Sequence, residues 1–279
     1  MKLYPIYAED FKLDGGACFG VVPKAVWGKS IQADENNMIE TTSRCLLVET
    51  DNRLILIDTG IGSKQDAQFL SYFHLFGNRG LEKSFNEINK NFDEVTDVIL
   101  THLHFDHCGG AVKRNETGFE LVFKNATHWV SKAQWEWANN PNLREKASYL
   151  KENFIPIQES GKLKFVESES YLIPEIFLKF VNGHTEGQMI PIISYQGRKI
   201  VYQADFVAST INIPIPYIPS YDTRPLISMQ EKIDFLQESV ENDYVYYFEH
   251  DSQYECCTVH KTEKGIKVKE TFKFNEFFK

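Results

Sequence analysis

The sequence predicts a mixed α/β (α+β) fold built from two groups of strands. Runs rich in β-branched and aromatic residues occur at residues 42–50 and 53–58, and again at 175–181, 190–195 and 199–202. Segments with helical spacing follow each group. Both groups also end in histidine or aspartate residues, so we expect ligand-type side chains to emerge at one edge of the sheets.

In chain order, Lys2–Tyr7 is predicted to be a short strand, and residues 14–24 a loop, because three glycines and a proline fall in that span. Asp51-Asn52 is a hairpin signal between two strands. Further strands are predicted at residues 95–100, 119–123, 127–130 and 244–248. Helices are predicted at residues 81–89, 132–138 (with Ser131 as N-cap), 143–153 and 225–242.

Composition narrows the class of protein. The chain has 279 residues, of which 42% are hydrophobic and 14% aromatic, enough for a sizeable core. Its net charge of -9 argues against nucleic-acid binding, which depends on Lys and Arg contacts to phosphate. Five cysteines are an odd number without framework spacing, which favours thiols in a reducing compartment. The first residues lack the apolar stretch of a signal peptide and no run is long enough to span a membrane, so we expect a cytoplasmic protein with no membrane partner.

Residues 101–107 carry the motif His-x-His-x-Asp-His. Imidazole nitrogen and carboxylate oxygen are ligands shared by zinc, iron and manganese sites. In an extended chain His102 and His104 point the same way and can bind one ion. If the chain turns after Phe105, Asp106 and His107 point elsewhere, which suggests a second ion. Chance clustering on a solvated loop is the alternative, but a buried strand before the motif and a glycine turn after it disfavour that interpretation.

This motif resembles the signature of the metallo-β-lactamase superfamily, and the remaining family positions are filled in order. Residues 183–188 match the family's Gly-His-Thr-x-Gly-x pattern, residues 203–205 the strand end that carries a bridging Asp, and residues 248–251 the last His. The resemblance implies that His102, His104 and His184 bind one metal ion. It implies that Asp106, His107 and His250 bind the other, and that Asp205 bridges the two.

The resemblance also implies a fold, a cofactor and a reaction. The fold would be an αββα four-layer sandwich, with residues 1–279 as a single domain and residues 1–40 as an N-terminal extension that contributes the glycine-rich loop. The cofactor would be two divalent ions, zinc first, with iron or manganese as alternatives. Such a pair generates hydroxide from a bridging water near neutral pH, so hydrolysis is the expected reaction. Asp205 would hold both ions, and Asp106 would orient the nucleophile and move its proton. Asp58 either supports the metal loop or only caps a turn.

Within the superfamily, residues 102–110 resemble the N-acyl-homoserine lactonases, which would make the activity quorum quenching on a small-molecule substrate. Those lactonases commonly carry a Tyr three residues after the bridging Asp, where this chain has Ala208. An organophosphate or aryl ester hydrolase and a glyoxalase II-like thioesterase therefore remain alternatives, and a non-catalytic binding relative is disfavoured because all the ligands are present. A homodimer stays open, since the N-terminal loop of this branch approaches the pocket of its own or a neighbouring subunit. The predicted substrate-binding residues are Phe19, Trp27, Phe105, Tyr217 and Tyr221.

Overall fold

The computed structural model describes residues 1–278, and these contain fifteen β-strands. In chain order the strands are β1 (Lys2–Asp14), β2 (Met38–Glu49), β3 (Leu54–Ile57), β4 (Asp97–Ile99), β5 (Val112–Asn115), β6 (Gly118–Leu121), β7 (Thr127–Ser131), β8 (Leu163–Val166), β9 (Ser170–Ile173), β10 (Ile176–Val181), β11 (Gln188–Tyr195), β12 (Arg198–Tyr202), β13 (Val245–Tyr247), β14 (Cys256–Thr262) and β15 (Gly265–Phe272).

The same described residues contain nine α-helices, most of them short. In chain order they are α1 (Gly15–Phe19), α2 (Lys24–Trp27), α3 (Ala67–Ser71), α4 (Leu81–Glu87), α5 (Phe105–Cys108), α6 (Lys132–Asn139), α7 (Lys151–Glu159), α8 (Pro225–Asn242) and α9 (Phe274–Phe277). None of the helices between residues 1 and 278 has the length and apolar character needed to span a membrane.

The chain divides into two compact units. Unit 1 comprises Met1–Phe11 and Thr42–Ser168, and unit 2 comprises Lys12–Thr41 and Glu169–Lys279. The single domain expected from the sequence, with residues 1–40 as an extension, stays a prediction.

Unit 1 is built around a six-stranded sheet with the strand order β1-β2-β3-β4-β7-β8. Strands β3, β4, β7 and β8 are parallel neighbours. All four residues of β3 are buried, as expected for a parallel strand covered on both faces. Because the carboxyl ends of parallel strands meet at one edge, the segments that follow β3 and β4 begin side by side, with Ile57 paired to Ile99.

Unit 2 contains a seven-stranded sheet with the order β15-β14-β13-β12-β11-β10-β9. Strands β12 and β13 are parallel, with Tyr202 paired to Tyr247. Strand β11 is antiparallel to both β10 and β12, so β10 runs in the same direction as β12 and β13. The segments after β10, β12 and β13 therefore all leave the sheet at the same edge.

Several predicted elements are confirmed. Helix α8 has the predicted bounds, and the Ser131 hydroxyl caps α6 by accepting a hydrogen bond from the Gln134 backbone. Gln196 and Gly197, between β11 and β12, have positive φ angles of 49° and 79°, which suit a tight hairpin.

Two predictions were wrong. The loop expected at residues 14–24 contains α1 and the start of α2, because the Asp14 side chain caps α1 by accepting a hydrogen bond from the Ala17 backbone. The helix expected at 143–153 begins only at Lys151. A 3-10 turn at Lys146–Ser148 stands in its place, because the chain becomes extended at Tyr149 and Leu150, with ψ angles of 98° and 110°.

His128 lies on β7 with no exposed surface, as expected for a core histidine. Burial lowers its pKa from 6.5 to about 4, although a backbone hydrogen bond at Ala126 acts in the opposite direction. The unfolded chain therefore binds a proton at this residue between pH 6.5 and 4, and the folded chain does not.

We expect the stability that His128 contributes through this difference to be lost as pH falls from 6.5 toward 4. The loss should reach about 3 kcal/mol, since each pKa unit corresponds to ~1.4 kcal/mol. Chemical denaturation of wild type and His128→Leu at pH 7 and pH 4 measures it. The variant should lose less stability on acidification than wild type, while His260→Leu, at an exposed position, should behave as wild type. Equal acid losses in wild type and His128→Leu would contradict the assignment.

Candidate metal centre

In unit 1 four ligand-type residues follow β4: His102, His104, Asp106 and His107. All four are buried, with 8% or less of their surface exposed. The Nε2 atom of His102 lies 3.1 Å from the Nδ1 atom of His104, so both nitrogens face one small volume. Helix α5 begins at Phe105 and turns the chain, as the sequence predicted, and the carboxylate of Asp106 lies 3.8 Å from Nε2 of His107.

Asp58, which follows β3, supports this loop. One carboxylate oxygen accepts a hydrogen bond from the Thr101 backbone at 2.7 Å. The other accepts from the Thr101 hydroxyl at 2.7 Å and lies 3.1 Å from Nδ1 of His107. When Nδ1 carries the proton donated to Asp58, Nε2 of His107 keeps its lone pair for a metal ion. The contact favours the supporting role for Asp58 over simple turn capping.

Gly109 and Gly110, which follow the motif, allow its backbone to lie close to the backbone of residues 59–61. A side-chain Cβ on Gly109 would lie 2.0 Å from the carbonyl oxygen of Ile61, and one on Gly110 would lie 2.0 Å from that of Thr59. The Glu9 carboxylate fixes the opposing segment by accepting hydrogen bonds from the backbones of Ile61 and Gly62 at 3.1 and 2.9 Å. Larger residues at 109 and 110 would therefore push the metal loop away from its support.

A second buried carboxylate, on Glu145, lies near His104. Its Oε2 atom is 3.9 Å from Nε2 of His104, and its Oε1 atom accepts a hydrogen bond from the indole of Trp137. The Tyr149 ring packs on the same imidazole with ring centroids 4.8 Å apart. Sequence reasoning missed Glu145 and Glu9, because neither is close to the motif along the chain.

In unit 2 the predicted bridging residue lies between two histidines. His184, Asp205 and His250 follow β10, β12 and β13, whose carboxyl ends share one edge. Oδ2 of Asp205 is 3.1 Å from Nε2 of His184, and Oδ1 is 2.9 Å from Nε2 of His250. Each oxygen of one carboxylate thus faces a different imidazole, so Asp205 lies against both histidines at once.

Helix α8 holds the His184 turn. The Glu231 carboxylate accepts hydrogen bonds from the backbones of Asn182 and Gly183 at 2.8 and 3.0 Å. Burial raises the pKa of Glu231, and these two hydrogen bonds counteract it. A Cβ on Gly183 would lie 2.3 Å from the Ser228 backbone, so the turn can pack on α8 only with glycine there.

Asp222, a residue that sequence reasoning missed, orients His184. Its Oδ1 atom lies 2.9 Å from Nδ1 of His184, and only 2% of the Asp222 surface is exposed. The two residues are 38 positions apart, so no local motif links them. The only signal in the sequence is a carboxylate in the loop that precedes α8.

Unit 2 also contains a small pocket, with a volume of about 30 Å³, next to His250. Its other lining residues are Leu13, Cys18, Phe19, Ile31, Ile39, Glu40, Thr41, Ala208, Ser209, Ile211, Asn212, Tyr221, Asp251 and Ser252.

The pocket contains two of the five predicted substrate residues, Phe19 and Tyr221. Trp27 lies in the core against Phe19, with ring centroids 5.1 Å apart, and Tyr217 contacts the edge of Phe19 at 6.2 Å. Both can act on this pocket through Phe19. Phe105 belongs to unit 1, where its ring contacts two phenylalanines of the α3 region, Phe69 and Phe73.

The donor set of each unit fits divalent metal ions. The candidate ligand imidazoles and carboxylates each have 8% or less of their surface exposed. Buried charged groups are normally paired or bound to metal. Hydrogen bonds to Asp58 and Asp222 hold a proton on Nδ1 of His107 and of His184. The Nε2 lone pair of each histidine is therefore available to a metal ion.

Comparisons with known proteins agree with this chemistry. The family model described as "Metallo-beta-lactamase superfamily" matches residues 39–248. An N-acyl homoserine lactonase from Bacillus cereus is 24% identical over 83% of this chain and 87% of its own. The structure of a probable metal-dependent hydrolase from Staphylococcus aureus is 28% identical, with a TM-score of 0.89 over 97% of this chain and 96% of that one. AidC, a dizinc quorum-quenching lactonase in complex with a product, has a TM-score of 0.80 at 23% identity, over 97% and 94% of the two chains.

The fold and the ligand-type residues define a metal-dependent hydrolase. The chain belongs to the metallo-β-lactamase superfamily. Its relation to the N-acyl homoserine lactonases is one of low identity. The mixed α/β fold predicted from the sequence is confirmed, and its sheets are consistent with the metallo-β-lactamase sandwich that the resemblance implied.

We expect Asp222→Asn to weaken metal binding by about 10–100-fold, the usual cost of losing a carboxylate that orients a ligand histidine. Competition with a chromophoric chelator measures the affinity. Asp234→Asn, on an exposed position of α8, should bind metal as wild type does. Unchanged affinity in Asp222→Asn would show that the contact to His184 does not support a ligand.

Proposed function

We propose that this chain is a dinuclear metal hydrolase that opens lactones of the N-acyl-homoserine type. In the proposed ligand assignment one ion is held by His102, His104 and His184. The second ion is held by Asp106, His107 and His250, and Asp205 bridges the pair. The observation that carries the assignment is the Asp205 carboxylate, whose two oxygens face the Nε2 atoms of two histidines at 3.1 and 2.9 Å.

Two divalent ions held by these residues would lower the pKa of a bound water and polarise the oxygen of the bond under attack. The side chains of this chain then have distinct tasks. Asp205 holds the two halves of the ligand set in one arrangement. Asp106, adjacent to His107 and buried, would orient the attacking water and accept its proton. Zinc is our first candidate for both ions, with iron and manganese as alternatives.

The pocket beside His250, with a volume of about 30 Å³, has room for the first carbons of an apolar acyl chain. Phe19, Leu13 and Ile31 give it apolar walls, which suit a hydrocarbon chain better than a charged leaving group. Curated relatives named N-acyl homoserine lactonase support the same substrate class. A lactone of this type is a small molecule that the pocket can bind at one end while its ring is attacked.

The second candidate is an organophosphate or aryl ester hydrolase, and Ala208 favours it. The resemblance predicts a Tyr at that position in a lactonase, and Ala208 brings no hydrogen-bond donor into the pocket. A glyoxalase II-like thioesterase is less well supported, because β14, β15 and the short α9 stand where a basic helical extension would be needed.

The test is a substrate panel with purified, metal-loaded protein: a homoserine lactone, an aryl phosphotriester, an aryl ester and a glutathione thioester. We expect lactone opening to have the highest kcat/KM. The protein should contain close to two metal equivalents by plasma emission analysis. Asp205→Asn should lose both metal and several orders of magnitude of turnover, since a neutral amide is a poor bridge between two cations. Asp51→Asn, in the exposed turn between β2 and β3, is the matched control.

Lactones left intact while phosphotriesters or thioesters are cleaved would replace the lactonase proposal with one of the alternatives. Folded wild-type protein without metal would overturn the ligand assignment itself.

Tyr221 is our candidate for the donor that Ala208 cannot supply. It lines the pocket, and its ring contacts the His184 ring edge-on at 5.7 Å. We expect Tyr221→Phe to lower kcat on lactones by about 10²–10³, the usual cost of losing one hydrogen-bond donor to a developing oxyanion. Tyr217→Phe should cost less, because that ring packs against Phe19. Tyr171→Phe, exposed on β9, is the control. Wild-type kcat in Tyr221→Phe would show that no donor from this tyrosine is used.

A further inference from the structure

Lys232 on α8 is a buried lysine with only 1% of its surface exposed. Its Nζ atom donates hydrogen bonds to three backbone carbonyls, those of Asn212, Pro214 and Tyr217, at 2.8, 3.1 and 3.1 Å. An ammonium group has three N–H donors, so the number of donors matches the number of acceptors. The segment 212–217 is therefore folded around a single cation.

Burial removes the lysine charge from water, which is costly. A lysine is therefore expected at this position only if its hydrogen bonds stabilise the surrounding backbone. Burial lowers the pKa of Lys232 to about 7, and attraction to Asp222 acts in the opposite direction. A methionine would fill similar space without the cost of removing a charge from water. What lysine adds over methionine is the set of bonds to the three carbonyls, and thus the conformation of the segment that carries them.

That segment is also tied to the N-terminal loop of the same unit. The Asn212 side chain donates to the carbonyl of Cys18 at 3.1 Å and accepts from the Ser209 hydroxyl at 2.7 Å. The Ser220 backbone donates to the carbonyl of Ala17 at 2.8 Å. Residues of both tied segments line the pocket beside His250, so a shift of the 212–217 segment would change the pocket on two sides.

We propose that Lys232 is a positioning residue that sets the shape of this pocket by holding the 212–217 segment, and that it thereby determines how tightly the start of an acyl group binds there. The proposal rests on the proposed function for the identity of the bound group. Without the ammonium, the Asn212 carbonyl loses the donor that Lys232 supplies. The Pro214 carbonyl keeps a hydrogen bond from the Tyr217 backbone at 3.0 Å, and the Tyr217 carbonyl keeps one from the Asn212 side chain at 3.4 Å. Because a buried carbonyl that loses a donor is costly, the segment loosens around Asn212 until water replaces the ammonium. The pocket then becomes wider and less ordered, while the candidate metal ligands keep their own supports in Asp58 and Asp222.

The experiment compares wild type, Lys232→Met and Lys232→Gln in the full chain, with Lys264→Met at the exposed β14–β15 turn as the matched control. Hydrogen–deuterium exchange of the backbone is the readout that needs no substrate. We expect faster exchange at residues 209–221 in Lys232→Met, an intermediate rate in Lys232→Gln, which retains two N–H donors, and no change in unit 1. Metal content should stay at the wild-type value in all variants.

Kinetics with a hexanoyl and a dodecanoyl homoserine lactone supply the second readout. We expect KM for both to rise about tenfold in Lys232→Met, with kcat changed by less than about threefold. This pattern results when a variant loses binding energy that stabilises the bound substrate and the transition state equally. The rise in KM should be similar for both chain lengths, because a pocket of about 30 Å³ holds only the first carbons of either chain.

Wild-type exchange at residues 209–221 in Lys232→Met would overturn the proposal whatever the activity. A fall in kcat with KM unchanged would do the same, and so would the failure of both Lys232 variants to fold, since Lys232 would then support the whole unit. If wild type opens no lactone but the exchange changes are confined to 209–221, the substrate proposal fails and the positioning role stands, to be measured as KM on whichever panel substrate is cleaved.

Discussion

Burial of charged ligand groups is the constraint on which the rest of the structure depends. Imidazoles and carboxylates with 8% or less of their surface exposed lie at the sheet edges of both units, and such groups are costly unless each is paired. Both units pair them in the same way. Asp58 in unit 1 and Asp222 in unit 2 each lie within 3.1 Å of the Nδ1 atom of one histidine, His107 or His184. The carboxylate compensates for burial, and it also fixes the tautomer that leaves Nε2 able to bind a metal ion.

Strand direction explains why these residues meet. Asp58 and Thr101 follow the parallel strands β3 and β4, and Asp205 and His250 follow the parallel strands β12 and β13. Side chains distant in the sequence are thus brought to the same edge by backbone pairing, before any ligand is bound. A register shift of one residue in either pair would turn the preceding strand residues to the opposite face, so the buried runs of β3 and β12 also fix where the ligand loops begin.

The sequence predicted those parts of the site that lie within short motifs. His102, His104, Asp106 and His107 could be recognised because their spacing is itself the signal, and α8 because its apolar period runs for eighteen residues. Asp222 and Glu145 could not be predicted, since each meets its histidine only after the chain has folded. The helix expected at 143–153 failed because the chain is extended at Tyr149 and Leu150, where the Tyr149 ring packs on His104, a contact that no local pattern shows. Trp27 suggested a pocket wall but is buried against Phe19 and Gly15, where a Cβ would lie 2.4 Å from its ring.

Tyr221 and Asp222 are adjacent, and this adjacency links the two tasks of unit 2. Tyr221 faces the pocket beside Ala208, while Asp222 holds the candidate ligand His184. One short segment therefore places both the hydrogen-bond donor we assign to the substrate and the carboxylate that orients a metal ligand. Its position depends on Lys232 through the Tyr217 carbonyl and on Ala17 through the Ser220 backbone. The Thr223 and Arg224 backbones donate hydrogen bonds to the carbonyls of His184 and Gly183 at 3.0 and 2.9 Å, so the bond between Asp222 and His184 has supports that do not depend on Lys232. A displacement at residues 212–217 would therefore change the pocket and leave the support of His184 in place. Selection for a different acyl group can act through that segment, or through apolar pocket residues such as Ile31 and Ile39, without moving a candidate metal ligand.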